Sequence, residues 1–208
     1  MSTLVFLRRV MLGLLAAATL GGLIQAQEAR PDFRAALAEL KKYDCYEIST
    51  GTVTSATRRL SFGCHSDLPD AAFAQLAAFP NLESLDFISD KVTDACLAQL
   101  KNLPRLRSLH LNSATITDKD LDSLKELPKL EDLTLMRTQV TAQGLAKVQA
   151  LKGLKTFHLM RLNTTPALIE QLKRFKHLDH LYIGQTEFTA EQRLELTKAL
   201  PNPSINEN

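Results

Sequence analysis

Apolar and polar positions alternate along this chain in short bursts, and the bursts return at a fixed interval. The motif Leu-x-x-(Leu/Phe)-x-(Leu/Phe/Ile) begins at Leu82, Leu106, Leu130, Leu154 and Leu178, each copy 24 residues after the last. A constant interval of that length predicts a solenoid, because one unit cannot bury its apolar face until a neighbour stacks on it. In the copy from Leu106, the run Leu106-Arg107-Ser108-Leu109-His110-Leu111 has the period of a strand with one buried face, so Leu109 and Leu111 point inward. A turn then leads to Ile116-Thr117-Asp118, followed by Leu121, Leu124 and Leu127 at spacings of three and by Pro128. That spacing predicts the buried stripe of a short helix, with Thr117 as N-cap and Asp118 and Asp120 at the positive end of its dipole.

The other copies follow the same template. Val92-Thr93-Asp94 precedes Leu97, Leu100 and Leu103; Val140-Thr141 precedes Leu145, Val148 and Leu151; Thr164-Thr165-Pro166 precedes Ile169, Leu172 and Phe175. An earlier copy is visible at Leu60-Ser61-Phe62 with Leu68, Phe73, Leu76 and Phe79. The last, Phe188-Thr189-Ala190, loses the pattern where Arg193 takes the place of a core leucine.

These residues resemble a leucine-rich-repeat protein. The Val/Ile-Thr-Asp-x-x-Leu step is similar to the short repeats of many bacterial proteins and of F-box ligase receptors. The resemblance covers about residues 58–205 and implies an α/β fold: a right-handed solenoid of about six repeats, with a parallel sheet on the concave side and helices on the convex side. It departs from the family at Asp90, Ala114, Thr138, Leu162 and Thr186, where Asn or Cys is usual and forms a hydrogen-bonded ladder. No ubiquitin-related role is implied, since no ligase-recruiting domain is visible before residue 58.

The ends read differently from the middle. Residues 1–26 have the parts of a cleavable secretory signal: Arg8 and Arg9, the apolar run Val10 to Ile24, and Ile24-Gln25-Ala26 before Gln27. The run is short for a spanning helix and holds Gly13, Gly21 and Gly22, so no membrane anchor is expected after cleavage. Residues 27–57 are expected to cap the repeats of 58–200, with a helix in Pro31–Tyr43 that faces inward through Phe33, Leu37 and Leu40, and a hairpin within Tyr46–Thr57. Residues 201–208 read as an extended closing segment whose prolines discourage a further strand.

Strand alternation then sets which side chains line the concave face. One column runs Ser84, Ser108, Asp132, Thr156, His180; the next Asp86, His110, Thr134, His158, Tyr182; the third Ile88, Asn112, Met136, Met160, Gly184, with Arg137 and Arg161 just beyond. No core requirement accounts for such a mixture of Arg, Met, His and Tyr, and mixtures of that kind suit protein interfaces. The predicted function is an exported, noncatalytic scaffold that binds a protein partner through His110, Thr134, Met136, Arg137, His158, Met160, Arg161, His180 and Tyr182. The alternatives are a structural envelope component without a discrete ligand, and a hydrolase built on Asp86, His110 and Ser84 or Ser108, which would need an oxyanion hole and a pocket.

Composition narrows the rest. Removal of residues 1–26 takes away two arginines and no acid, leaving 23 basic and 23 acidic side chains and a net charge of zero. A neutral chain without a basic stripe is not expected to bind nucleic acid. The chain has no Gly-rich phosphate loop and no Cys-x-x-Cys, so no cofactor is expected. His177, Asp179, His180 and His158 are the one cluster with metal-ligand chemistry, but a loop residue and strand residues are not expected to converge. Cys45 and Cys64 form a candidate disulfide at the N-terminal end, and Cys96 is expected as a small core residue of a helix. The expected compartment is periplasmic or extracellular.

Overall fold

The computed structural model describes residues 32–43, 45–47, 56–62, 69–88, 92–113, 115–200 and 203–205. The expected leader, Cys64, Leu68, Asp90, Ala114 and most of the expected hairpin segment lie outside them.

Each 24-residue unit contributes one strand to a single eight-stranded sheet whose spatial order is its chain order. The strands are β1 (Cys45–Glu47), β2 (Arg59–Phe62), β3 (Ser84–Ile88), β4 (Ser108–Asn112), β5 (Asp132–Met136), β6 (Thr156–Met160), β7 (His180–Gly184) and β8 (Pro203–Ile205). From β2 to β8 every pairing is parallel, and from β3 to β7 each residue pairs with the one 24 positions on. This is the solenoid expected from the period, with the α/β leucine-rich-repeat architecture that the resemblance implies.

Helices alternate with the strands: α1 (Phe33–Leu40), α2 (Asp70–Ala74), α3 (Asp94–Gln99), a 3₁₀ helix (Asp120–Glu126), α4 (Ala142–Gln149), α5 (Pro166–Leu172) and α6 (Ala190–Ala199). Between strands and helices lies the core. Leu85, Leu109, Leu133, Phe157 and Leu181 form one column of the spine and Phe87, Leu111, Leu135, Leu159 and Ile183 the next, all at most 2% exposed. From the helical side they meet Leu97, Leu121, Leu145 and Ile169, and aromatic pairs fill the wider gaps, Phe73 on Phe87 at 4.6 Å and Phe157 on Phe175 at 5.5 Å.

Two sequence expectations are corrected here. Leu121 and Leu124 belong to a 3₁₀ segment, not an α-helix, and Leu127 is its C-cap. A spacing of three suits either helix, and the same spacing at Leu145/Val148 and Ile169/Leu172 lies on α-helices. Thr117 does not cap it, because its N–H and hydroxyl both donate to Asp120 Oδ2, at 2.6 and 2.9 Å. Thr93, Thr141, Thr165 and Thr189 do cap their helices, each hydroxyl accepting a backbone N–H at 3.2 Å. The last unit also keeps its helix despite Arg193. Thr189 and Gln192 form a reciprocal capping box, the Arg193 guanidinium donates to the Phe188 carbonyl, and Leu196 fills the core.

Neighbouring units are tied by polar contacts as well. Asp118 accepts the Thr141 N–H at 2.7 Å and its hydroxyl at 2.5 Å, and Asp70 likewise accepts the Thr93 hydroxyl at 2.9 Å. Where the chain enters each strand, Glu83, Arg107, Glu131 and Lys155 alternate in sign, and Glu131 pairs with Arg107 at 2.5 Å and Lys155 at 3.3 Å. The family's ladder position holds no continuous polar column, since Leu162 stands between Thr138 and Thr186. Thr138 Oγ1 is buried without a partner among the described residues, while Thr186 donates to the Gly184 carbonyl and accepts the Leu162 N–H.

Both sheet edges are occupied. At one, β1 runs antiparallel to β2 and so joins the cap segment to the first unit's strand, a pairing that reaches beyond the segment 46–57 in which a hairpin was expected. At the other, the closing segment itself is a strand: β8 pairs with β7 from Pro203 to Ile205. In α1 the inward face is Ala36 and Leu40, with Phe33 and Leu37 partly buried beside them and Phe33 edge-on to Phe79 at 5.4 Å.

Candidate functional site

The side of the sheet that faces away from the helices is open, and every side chain expected there lies on it. Register places His110, Thr134, His158 and Tyr182 in one row across β4 to β7, and Asn112, Met136, Met160 and Gly184 in the next. His180 begins β7 beside Thr156. Two clusters form within this surface.

The first is aromatic. The His158 ring lies flat on Tyr182, centroids 4.4 Å apart and planes 12° from parallel, and His180 stacks on the same tyrosine at 5.9 Å. Their proximity follows from the pleat: His158 and Tyr182 are directly opposite on adjacent parallel strands, and His180 is two residues before Tyr182 on the same face. Partial burial in the stack holds the His158 ring below the usual histidine range; Asp132 opposes this and His110 adds to it. Met136 and Met160 lie half-buried alongside, and Gly184 leaves open space above the strand, the nearest atom to an added Cβ being Met160 Cγ at 4.0 Å.

Arg137 and Arg161 stand at the exits of β5 and β6, exposed, and both have left-handed backbones with φ of 55° and 57°. Their N–H groups still donate to the next strand, to the carbonyls of Met160 and Gly184. Gln185 holds the equivalent place after β7 with φ of 52°, and its amide oxygen accepts the Arg161 Nε–H at 2.7 Å. Gln185 is thus a residue of this surface beyond those expected from the sequence. Its position 24 residues after Arg161 is the signal that would have found it.

The second cluster is polar. Ser108 Oγ lies 2.9 Å from His110 Nε2, and Asp86 Oδ1 lies 3.2 Å from His110 Nδ1. The connectivity is that of a nucleophilic serine relay, but two of its requirements are unmet. Asp86 Oδ1 is close to the ring yet accepts no aligned hydrogen bond among the described residues. The backbones on either side are engaged in parallel pairing, so the strand N–H groups are not gathered into an oxyanion hole. Burial pushes the Asp86 carboxyl above the usual carboxylate range; His110 and Arg59 oppose this and Asp132 reinforces it. What the arrangement does is fix the His110 ring between a hydroxyl and a half-buried carboxyl.

The residues considered for metal binding are drawn apart. His177 stacks on Phe175 in the loop, His180 on Tyr182 in the strand, and among the described residues no three His, Cys, Asp or Glu converge. Cys96 is fully buried, and its thiol points to Asp70 Oδ1 at 3.0 Å. Cys45 carries a free thiol in the structure, its expected partner Cys64 lying outside the described residues. Burial pushes Cys45 up to about 12 and Cys96 up to about 11, so both are protonated at neutral pH and poor nucleophiles. Two shallow grooves lie away from the open face, one between the turns at Lys125–Leu130 and Ala150–Gly153, the other along Thr138–Thr141, Asn163, Thr165 and Leu168. Among the described residues no helix is long and apolar enough to cross a membrane.

No protein-family model and no curated protein matches the chain. Among solved structures, internalin C2 of Listeria monocytogenes is 18% identical over 64% of this chain and 55% of its own, with a TM-score of 0.42. A second internalin of the same organism is 17% identical over 64% of this chain and 39% of its own, TM-score 0.39. A protein from Bacteroides fragilis is 14% identical over 72% of this chain and 65% of its own, TM-score 0.43. The chain spans less than two thirds of the length of each. The 24-residue period, the parallel strand in every unit and the leucine spine make this chain a leucine-rich-repeat protein.

Proposed function

We propose that this chain is an exported, noncatalytic scaffold whose open sheet face binds a protein partner. The observation that carries the reading is the His158–Tyr182–His180 stack, placed on the solvent side among Met136, Met160 and the Arg137–Arg161 pair. Apolar and aromatic groups scattered singly over a surface need no explanation, but clustered ones do. Tyr and Arg together are the residue types that anchor protein interfaces, since each buries a large area and keeps a directional polar group. Pre-stacked rings also lose little freedom when covered, which favours association. His110, held by Ser108 and Asp86, and Thr134 extend the same row toward the first repeats.

Immobilised protein and envelope extracts test the reading. A polypeptide captured by the wild type is expected to be lost with Tyr182→Ala and with Arg137→Glu combined with Arg161→Glu, while the thermal melts of the variants stay close to wild type. Equal capture by all three proteins would remove the open face from consideration. Turnover of ester or peptide substrates that vanishes in His110→Ala would favour the hydrolase instead.

A further inference from the structure

The edge of the solenoid where each helix returns to the next strand is predominantly basic. In the four consecutive turns at 100–106, 124–130, 150–154 and 173–178, the basic side chains are Lys101, Arg105, Lys125, Lys129, Lys152, Lys173, Arg174 and Lys176, and the single acidic one is Glu126. Lys125 is neutralised by Asp122 at 2.9 Å, and Lys173 by Glu170 at 2.6 Å and by Glu195. The other six have no carboxylate partner among the described residues, and all six are exposed. Arg105 donates to the neutral Asn81 side chain at 2.8 Å and keeps its charge uncompensated.

Stacking makes this a continuous row. The N–H groups of Glu131, Lys155 and Asp179 donate to the carbonyls of Arg107, Glu131 and Lys155, at 2.8, 2.8 and 2.9 Å, so successive turns are held in phase. Gly153 lets two of these turns meet closely, since an added Cβ would lie 3.4 Å from the Leu130 carbonyl oxygen. Arg105 and Lys129, and likewise Lys152 and Lys176, are one repeat apart, so each pair sits on adjacent turns stacked about 4.8 Å apart. The chain's near balance of acids and bases hides this edge completely.

We propose that the edge adsorbs to an anionic lipid bilayer surface. An exposed row of cations loses self-repulsion when it meets negative charge, and the form of the row selects the kind of anion. It lies on the outer edge formed by successive helix-to-strand turns, which can face a plane. The stacking platform of a nucleic-acid groove is sparse: in these turns Phe175 is buried, and the one exposed ring, His177, packs against it. Lysines predominate in the unpaired set, and lysine acts on phosphate as a point charge without bidentate geometry, as diffuse attraction to headgroups requires. Adsorption by this edge keeps the open sheet face clear of the lipid for a partner, although the proposal does not depend on that face being used.

The test is sedimentation of the full chain with vesicles of phosphatidylcholine alone and of equal parts phosphatidylcholine and phosphatidylglycerol, over a range of salt. Any contribution of the apolar N-terminal run is common to all variants. Wild type is expected to favour the anionic vesicles, with binding that weakens as salt rises. The quadruple variant Lys101→Glu, Lys129→Glu, Lys152→Glu, Lys176→Glu should bind them more than about a hundredfold more weakly while melting as wild type does. A control with the same charge change elsewhere, Lys41→Glu, Lys119→Glu, Arg137→Glu, Arg161→Glu, should retain most of the binding. The proposal is overturned if wild type shows no preference for anionic vesicles, if the control loses as much as the edge variant, or if duplex DNA is bound more tightly than the vesicles.

Discussion

Gly144 and Asp118 are coupled across two units, and the coupling predicts that one substitution changes sign with its background. Gly144 is buried in the first turn of α4, and an added Cβ would overlap Asp118 Oδ1, lie 3.0 Å from Asp118 Cγ and lie 2.8 Å from Val140 Cγ1. The carboxylate occupying that space accepts both the N–H and the hydroxyl of Thr141, the residue that caps α4. In the wild-type background, Gly144→Ala forces the carboxylate out. Losing a hydrogen bond to a charged group costs about 1.5–3 kcal/mol, and replacing glycine by alanine in a helix returns about 1 kcal/mol. The net expectation is a loss of about 0.5–2 kcal/mol. Asp118→Ala alone should cost about 2 kcal/mol by the same accounting. In Asp118→Ala the obstructing oxygen is gone, so Gly144→Ala is expected to be neutral or stabilising by up to about 1 kcal/mol, leaving only the Val140 methyl to shift. Urea denaturation of the four proteins measures the cycle, with a coupling energy of about 2 kcal/mol expected. Additive effects, with Gly144→Ala equally harmful in both backgrounds, would refute the account of why glycine stands there.

Two further outcomes follow from the core and from the aromatic stack. Leu109→Ala empties a fully buried position of the spine and is expected to cost about 2–5 kcal/mol, read as a lower urea midpoint with an unchanged slope. His158 has a folded pKa below its usual 6.5, so the unfolded chain binds the proton more readily and stability should fall as pH drops from 6.5 through the folded value. His158→Gln should flatten that part of a melting-temperature profile, and an unchanged profile would show that another group is responsible.

The strands, the leucine spine and the rows of the open face were legible because a period of two and a repeat of 24 leave little freedom: one register buries all the leucines, and any slip exposes them. The helices were read less well. Whether Leu121 and Leu124 sit on an α- or a 3₁₀ helix depends on small differences in turn geometry, and whether Thr117 caps depends on whether its hydroxyl accepts a backbone N–H or, as here, turns to donate to the Asp120 carboxylate. Arg193 looked like a break because the pattern treats it as a side chain to be buried, whereas its guanidinium reaches a carbonyl and leaves Leu196 to fill the space. Contacts between units, such as Asp118 with Thr141, are separated by nearly a full repeat and carry no local signal. On the open face, alternation could place His158 and Tyr182 side by side, but only the rotamers decide that their rings lie parallel.

The two covered margins of the sheet constrain how such a protein can lengthen. A strand arriving beyond β8 would meet a short segment that begins with Pro203, a residue with no N–H to offer, and on the far side β1 already runs against the common direction. New turns fit most readily by duplication inside the array, where an inserted copy finds a neighbour of the same fold on each side and both terminal segments stay in place. Each extra copy would widen the open face by about 4.8 Å and bring to it whatever rings and charges the duplicated unit carries.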